Sequence, residues 1–104
     1  MNLNVRDTAG RVFNYSSASS QILAYVVEKA TGMTISDYAS HKLWQPIGAK
    51  HDALWNTDDN GDEKAFCCLN SNIRDFARLG KLYLNQGYWN GIQILDSSYV
   101  KEAT

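Results

Sequence analysis

The clearest candidate for chemistry is a tyrosine with a serine two positions behind it, set just ahead of a helical pattern. The stretch reads Phe13-Asn14-Tyr15-Ser16-Ser17, then Ala18-Ser19-Ser20-Gln21-Ile22-Leu23. A phenol held just before a helix projects its hydroxyl from a fixed backbone. An isolated phenol titrates near ~10, so it needs a neighbouring cation to act as a base at neutral pH. Ser17 would place a second hydroxyl beside Tyr15. A plainer reading also exists, in which Tyr15 packs its ring into the core and a serine caps the helix. On residue types alone, that plainer reading has the stronger claim.

Other reactive residue types are sparse. Ser98-Tyr99-Val100-Lys101 has the Ser-x-x-Lys spacing of an activated nucleophile, but it lies near the end of the chain. Cys67 and Cys68 are adjacent. Disulfide geometry usually demands more separation than one peptide unit gives, so two small, buried, unpaired thiols are expected. No base stands near them in sequence to argue for activation. His41 and His51 show no metal-ligand spacing, so no metal and no cofactor is expected.

The elements that must position these residues follow from periodicity and caps. Ile22, Leu23, Val26, Val27 and Ala30 form one helical stripe, with the serine cluster at its start and Gly32 at its end. Thr34 with Asp37 gives a capping-box-like start to a second helix, and Met33 with Tyr38 a hydrophobic staple. Ile35, Tyr38, Ala39 and Leu43 would be its buried face, and Pro46 stops it. Residues 53–56 and 64–69 read as a hairpin around Asn60-Gly61. Asn72 with Asp75 opens a third helix whose apolar face is Ile73, Phe76, Ala77, Leu79, Gly80, Tyr83 and Leu84, and Gly87 ends it. Asn90-Gly91 marks a second tight turn, and Asp96 caps a last short helix. The expected fold class is mainly α with small β-hairpins. Residues 1–104 make one domain, with 1–12 as an irregular lead-in.

Bulk composition narrows the partners. A chain of 104 residues with 44% apolar and 20% charged residues suits one soluble domain. Its net charge of -1 and scattered Lys and Arg argue against nucleic acid and anionic membranes. The longest apolar run, Ile22 to Val27, is far short of a membrane span. The stretch Met1 to Asp7 has neither an apolar core nor a cleavage site, so no signal peptide is expected within it.

Several stretches, taken together, resemble the serine β-lactamase/penicillin-binding-protein superfamily. Gly10-x-x-Phe13-x-Tyr15-Ser16-Ser17 with Val26-Val27-Glu28-Lys29-Ala30-Thr31-Gly32 is similar to the superfamily's middle motif and following helix. Leu43-Trp44-Gln45-Pro46-Ile47-Gly48-Ala49 is similar to its Trp-x-Pro-Leu-Gly segment. His51-Asp52-Ala53-Leu54-Trp55 and Ala65-Phe66-Cys67-Cys68-Leu69 resemble the next hairpin. The run from Arg74 through Asp75, Phe76, Ala77, Arg78, Leu79 and Gly80 to Gly87 resembles an Arg-Asp-Tyr-Ala-Arg-Phe-Gly helix. Trp89-x-Gly91-x-Gln93-Ile94-Leu95 fits the turn after it. The combination is closest to the branch of class C β-lactamases, family esterases and 6-aminohexanoate-dimer hydrolases, and covers roughly residues 9–104.

That resemblance implies the helical subdomain of a β-lactamase-like fold and acyl transfer on esters, amides or β-lactams. In such enzymes a Ser-x-x-Lys motif supplies the nucleophile, and a middle motif and a Lys-Thr-Gly-type motif complete the site. It implies that Tyr15 shares a proton with the lysine and shuttles it, with Ser17 in support. The departures are as informative. No Ser-x-x-Lys precedes Tyr15, no Lys-Thr-Gly-type strand follows, and Ala9 stands where proline is usual. The expectation is a fragment of a serine hydrolase, inactive alone, taking a small-molecule substrate only as part of a full enzyme. The alternative is a non-catalytic helical binding module; a self-sufficient small hydrolase using Ser98 or a cysteine is a remote third. An uncovered apolar face on the third helix would favour self-association. Localisation stays open.

Overall fold

A computed structural model describes residues 6–104. The first five residues of the expected lead-in lie outside the described residues. From Arg6 to Tyr15 the chain carries turns, one closed by the Arg11 N–H donating to the Thr8 carbonyl at 3.3 Å.

Helix α1 runs Ser17–Thr31. Its N-cap is Ser16, whose hydroxyl accepts from the Ser19 N–H. Gly32 ends it at φ 71, a left-handed conformation that costs glycine nothing, and donates to the Glu28 carbonyl. Helix α2, Ile35–Ala39, begins at Thr34, whose hydroxyl accepts from the Asp37 N–H at 3.1 Å. It widens into a π-helical turn, Ser40–Trp44, directly before Gln45 and Pro46. Wider i→i+5 bonding gives way here to a segment that proline forbids from continuing as helix.

Strand β1 (Leu54–Trp55) pairs antiparallel with β2 (Leu69–Asn70), Leu54 opposite Asn70 and Trp55 opposite Leu69. The expected hairpin therefore forms, but its return strand starts later than sequence suggests. Residues 64–67 make a turn, closed by the Cys67 N–H donating to the Lys64 carbonyl. Helix α3 (Ile73–Leu84) is capped by Asn72. It stops at Leu84, and Gln86 and Gly87 complete the reversal at φ 58 and 83. Strands β3 (Tyr88–Trp89) and β4 (Ile92–Gln93) close around Asn90-Gly91, both with positive φ. Helix α4 (Ser97–Ala103) starts at Asp96, which accepts from the Ser98 and Tyr99 N–H groups. The class is mainly α with small antiparallel hairpins. No helix of the described residues is long and apolar enough to cross a membrane.

The packing corrects the sequence reading in three places. The α1 stripe is mostly exposed: Leu23 is 63% and Val26 55% exposed, Val27 alone of the five is half-buried, and Ala24 is the helix's buried residue. The face that packs carries Gln21, Ala24, Val27 and Glu28. The broad α3 face divides in two. Phe76, Leu79 and Tyr83 are half-buried around the fully buried Leu82, whereas Ile73, Ala77, Gly80 and Leu84 form an exposed row. The third correction concerns the cysteines, which are neither unpaired nor fully buried. Cys67 and Cys68 are half-buried and joined to each other by a disulfide. Neighbouring side chains diverge in an extended chain. Here the turn at 64–67, with Cys68 at φ 75, brings the two sulfurs to one side.

Candidate functional site

Tyr15 stands immediately before the N-cap of α1 and is 81% exposed, so its ring does not pack into the core. Ser17 is the first residue of the helix and is exposed, while Ser16 does the capping. Both candidate hydroxyls thus lie at the open N-terminal end of α1, next to exposed Val12 and Phe13.

What fixes that end in space is polar. The Gln21 side chain donates through Nε2 to the Glu63 carbonyl at 2.9 Å and accepts at Oε1 from the Ala65 N–H at 3.0 Å. One amide therefore clamps the first turns of α1 to the hairpin loop as a backbone strand would. Further along, Glu28 accepts from the Ile35 N–H and Glu63 from the Ser36 N–H, both at 3.3 Å. These carboxylates, with Thr34, satisfy the free donors at the start of α2. Burial pushes the Glu63 carboxyl upward, but the hydroxyl and N–H of Ser36, its own backbone N–H and Glu28 outweigh that and hold it below its ordinary value.

Asp75 anchors the opposite side. It is 1% exposed, yet its oxygens are well partnered. Oδ1 accepts from the Lys50 N–H at 3.0 Å; Oδ2 accepts from the His51 N–H at 2.9 Å and from Asn72 Nδ2 at 3.1 Å. Arg78 Nε lies 3.6 Å away and donates from Nη1 to the Ile47 carbonyl at 3.4 Å. The Lys50 N–H above all, then those of His51 and Asn72, overcome burial and keep this carboxyl below the usual carboxylate range. Sequence reasoning placed Asp75 three residues past the Asn72 cap and within the Arg-Asp helix pattern, with no further role for its side chain. Its larger part, tying the chain at 50–51 to α3, shows no local signal, because its partners are backbone N–H groups 24 and 25 residues away.

A pocket of about 300 Å³ is lined by the apolar Leu43, Trp44, Leu54, Trp55 and Leu69, with Ser36, Ser40 and Asp52 as its polar lining. Both indoles are fixed through their N–H groups. Trp44 donates to the His51 carbonyl and stands edge-on to Phe76 at 6.2 Å; Trp55 donates to the carbonyls of Lys64 and Cys67. Neither Tyr15 nor Ser17 lines this pocket. Ser98, the serine of the late Ser-x-x-Lys spacing, donates its hydroxyl to Asp96 at the start of α4, a capping arrangement.

Three comparisons bear on this architecture. A family model described as Beta-lactamase matches residues 1–101. The 6-aminohexanoate-dimer hydrolase of Paenarthrobacter ureafaciens is 32% identical over 89 residues, which are 86% of this chain and 23% of that protein. Among solved structures, the "Putative 6-aminohexanoate-dimer hydrolase from Bacillus anthracis" superposes with a TM-score of 0.84 at 38% identity, covering 93% of this chain and 26% of that one. The chain thus spans about a quarter of the length of these relatives. With a family model matching residues 1–101 and relatives aligned over nearly its whole length, the chain belongs to the β-lactamase family.

Proposed function

We propose that these residues form one wall of the active site of a serine hydrolase that transfers acyl groups from small-molecule esters, amides or β-lactams to water. The observation that carries this reading is an exposed Tyr15 just ahead of the α1 cap together with an uncovered apolar stripe on that helix. A phenol at 81% exposure is free to meet a lysine contributed from elsewhere in the enzyme, and Leu23 and Val26 offer a surface for that part to cover. In that setting a nearby ammonium favours the phenolate, and Tyr15 relays the proton of an attacking serine to the leaving group. Ser17, one helical residue past the cap, orients the lysine or the substrate.

Alone, the 104 residues are proposed to be inactive, because the nucleophile of a serine hydrolase accounts for nearly all of its covalent catalysis. The test is intact-protein mass spectrometry after parallel incubation with a penicillin, an activated phenyl ester and a fluorophosphonate. No adduct is expected on the folded chain. A stoichiometric adduct, mapped to Ser17, Ser98 or a cysteine, would overturn the reading. In a full-length hydrolase carrying this segment, Tyr15→Phe should lower kcat by about 100-fold or more while leaving KM within a few-fold, the signature of a lost proton-transfer group.

The alternative, a non-catalytic helical binding module, rests on the same uncovered surface. The α3 row with Ile73 at 84% and Leu84 at 79% exposure adds to it. Self-association through these faces is expected in either case. A single sedimentation boundary at monomer mass across a wide concentration range would count against it.

A further inference from the structure

The disulfide between Cys67 and Cys68 sits at a mechanically sensitive point of the pocket wall. The peptide that links the two residues carries the Cys67 carbonyl, which accepts from Trp55 Nε1 at 3.0 Å. The next carbonyl, of Cys68, accepts from the Asn56 N–H at 3.0 Å and from Asn70 Nδ2 at 2.9 Å. Those bonds tie the pair to both strands of the β1–β2 hairpin, and Trp55 and Leu69 of that hairpin line the pocket.

Cys68 holds φ at 75, in the left-handed region that side chains other than glycine and asparagine seldom occupy. A bond between adjacent sulfurs closes a small ring over the intervening peptide and holds that conformation in place. Opening the ring frees Cys68 to return to negative φ. The linking peptide then rotates, and the acceptor of the Trp55 indole moves with it.

We infer that Cys67–Cys68 is a reversible redox site whose state sets the position of Trp55 and so the shape of the neighbouring pocket. The reductant is a dithiol. Its thiolate attacks one cysteine sulfur, the Cys67–Cys68 bond breaks, and the mixed disulfide resolves as the second thiol attacks. Two electrons and two protons pass to the protein, giving two cysteine thiols, and the dithiol becomes a cyclic disulfide. Both cysteines are half-buried and not sealed in the core, so small thiols reach them.

The test uses the complete chain, purified without reductant and then split between dithiothreitol and buffer. Before reduction, neither cysteine should take up iodoacetamide. After reduction, the intact mass should rise by two hydrogens, about 2 Da, and both cysteines should alkylate. Tryptophan emission should shift to longer wavelength as Trp55 loses one of its two carbonyl acceptors, that of Cys67, and keeps that of Lys64; helical circular dichroism should hold steady, and oxidised glutathione should restore the starting state. Trp55→Phe should undergo the same mass change with the emission shift abolished. Full alkylation of the oxidised chain without reductant would overturn the inference. So would reduction with unchanged emission, a shift that persists in Trp55→Phe, or loss of the helical signal together with the disulfide.

Discussion

Helix α1 and the Asp75 anchor solve opposite problems. Around Asp75, every polar atom of the side chain finds partners within the chain, although the residue is fully buried. On α1, the less exposed face carries Gln21, Ala24, Val27 and Glu28, with Gln21 and Glu28 making its hydrogen bonds, while Ile22, Leu23 and Val26 are exposed. The first region is complete; the second presents a surface that still has something to cover. The contrast shows that the exposed apolar stripe is not what seats α1 and that apolar packing is not what holds the chain at 50–51 to α3. Directed hydrogen bonds to backbone N–H and C=O groups do that, because burying an unpaired acceptor costs more than leaving an apolar side chain in water.

The most severe break should come at Asp75. Asp75→Asn puts an amide NH2 where the carboxylate now faces N–H donors from Lys50, His51 and Asn72, with Arg78 alongside. Donor then confronts donor in a buried site, and the cooperative thermal transition at pH 7 should disappear or fall steeply. Circular dichroism melts would check this, and an unchanged melt would show that the anchor contributes little. Next comes Leu82→Ala. Leu82 is fully buried on α3, so the lost contacts and the cavity should cost about 3 kcal/mol in urea denaturation. Gly87→Ala should follow closely. At φ 83, a Cβ there would run into the Leu95 carbonyl, and about 2 kcal/mol or more is expected.

Acid should weaken the anchored region in a definite direction. The folded Asp75 carboxyl is depressed below its ordinary value by the Lys50 N–H first, and by His51 and Asn72. Its contribution is therefore fully present above the unfolded pKa near ~3.9 and is lost as pH falls from there through the lower folded value. Glu63 and Asp96 are depressed as well and add to the same trend. Urea midpoints should stay level down to about pH 5 and fall increasingly below ~4. Midpoints that rise on acidification would contradict the hydrogen-bond account of all three carboxylates.

How much of this was legible in the sequence depends on how far each interaction reaches. Caps at Ser16, Thr34, Asn72 and Asp96 were readable because each cap side chain and the backbone N–H that donates to it lie within three residues. The Asn90-Gly91 hairpin was readable because its turn demands positive φ at both positions. Gln21 gave no signal: its partners lie 42 and 44 residues away, and a glutamine on a helix looks like solvated surface. The α1 stripe was legible as a periodicity but not as a location, since periodicity says which side chains share a face and not whether this chain covers them. The disulfide was missed because the expectation assumed a chain without the turn that brings adjacent sulfurs together. Tyr15 was legible as a candidate only through the motif around it; the residue types alone pointed to a packed ring, and it is exposed.

The smallest effect on stability should come from the region proposed to be covered by the rest of the enzyme. Leu23→Ser with Val26→Ser removes two side chains that are more than half exposed. Neither belongs to the packed face of α1, so the unfolding free energy from urea denaturation should change by no more than about 0.5 kcal/mol. Sedimentation should change far more, with concentration-dependent association weakened, because the lost area is the apolar patch itself. If stability falls by several times that amount instead, the stripe is already buried in solution, and the distinction between a finished anchor and an unfinished helix fails. If neither stability nor association moves, the stripe is ordinary scattered surface, and the proposed association would have to rest on the α3 row of Ile73, Ala77, Gly80 and Leu84.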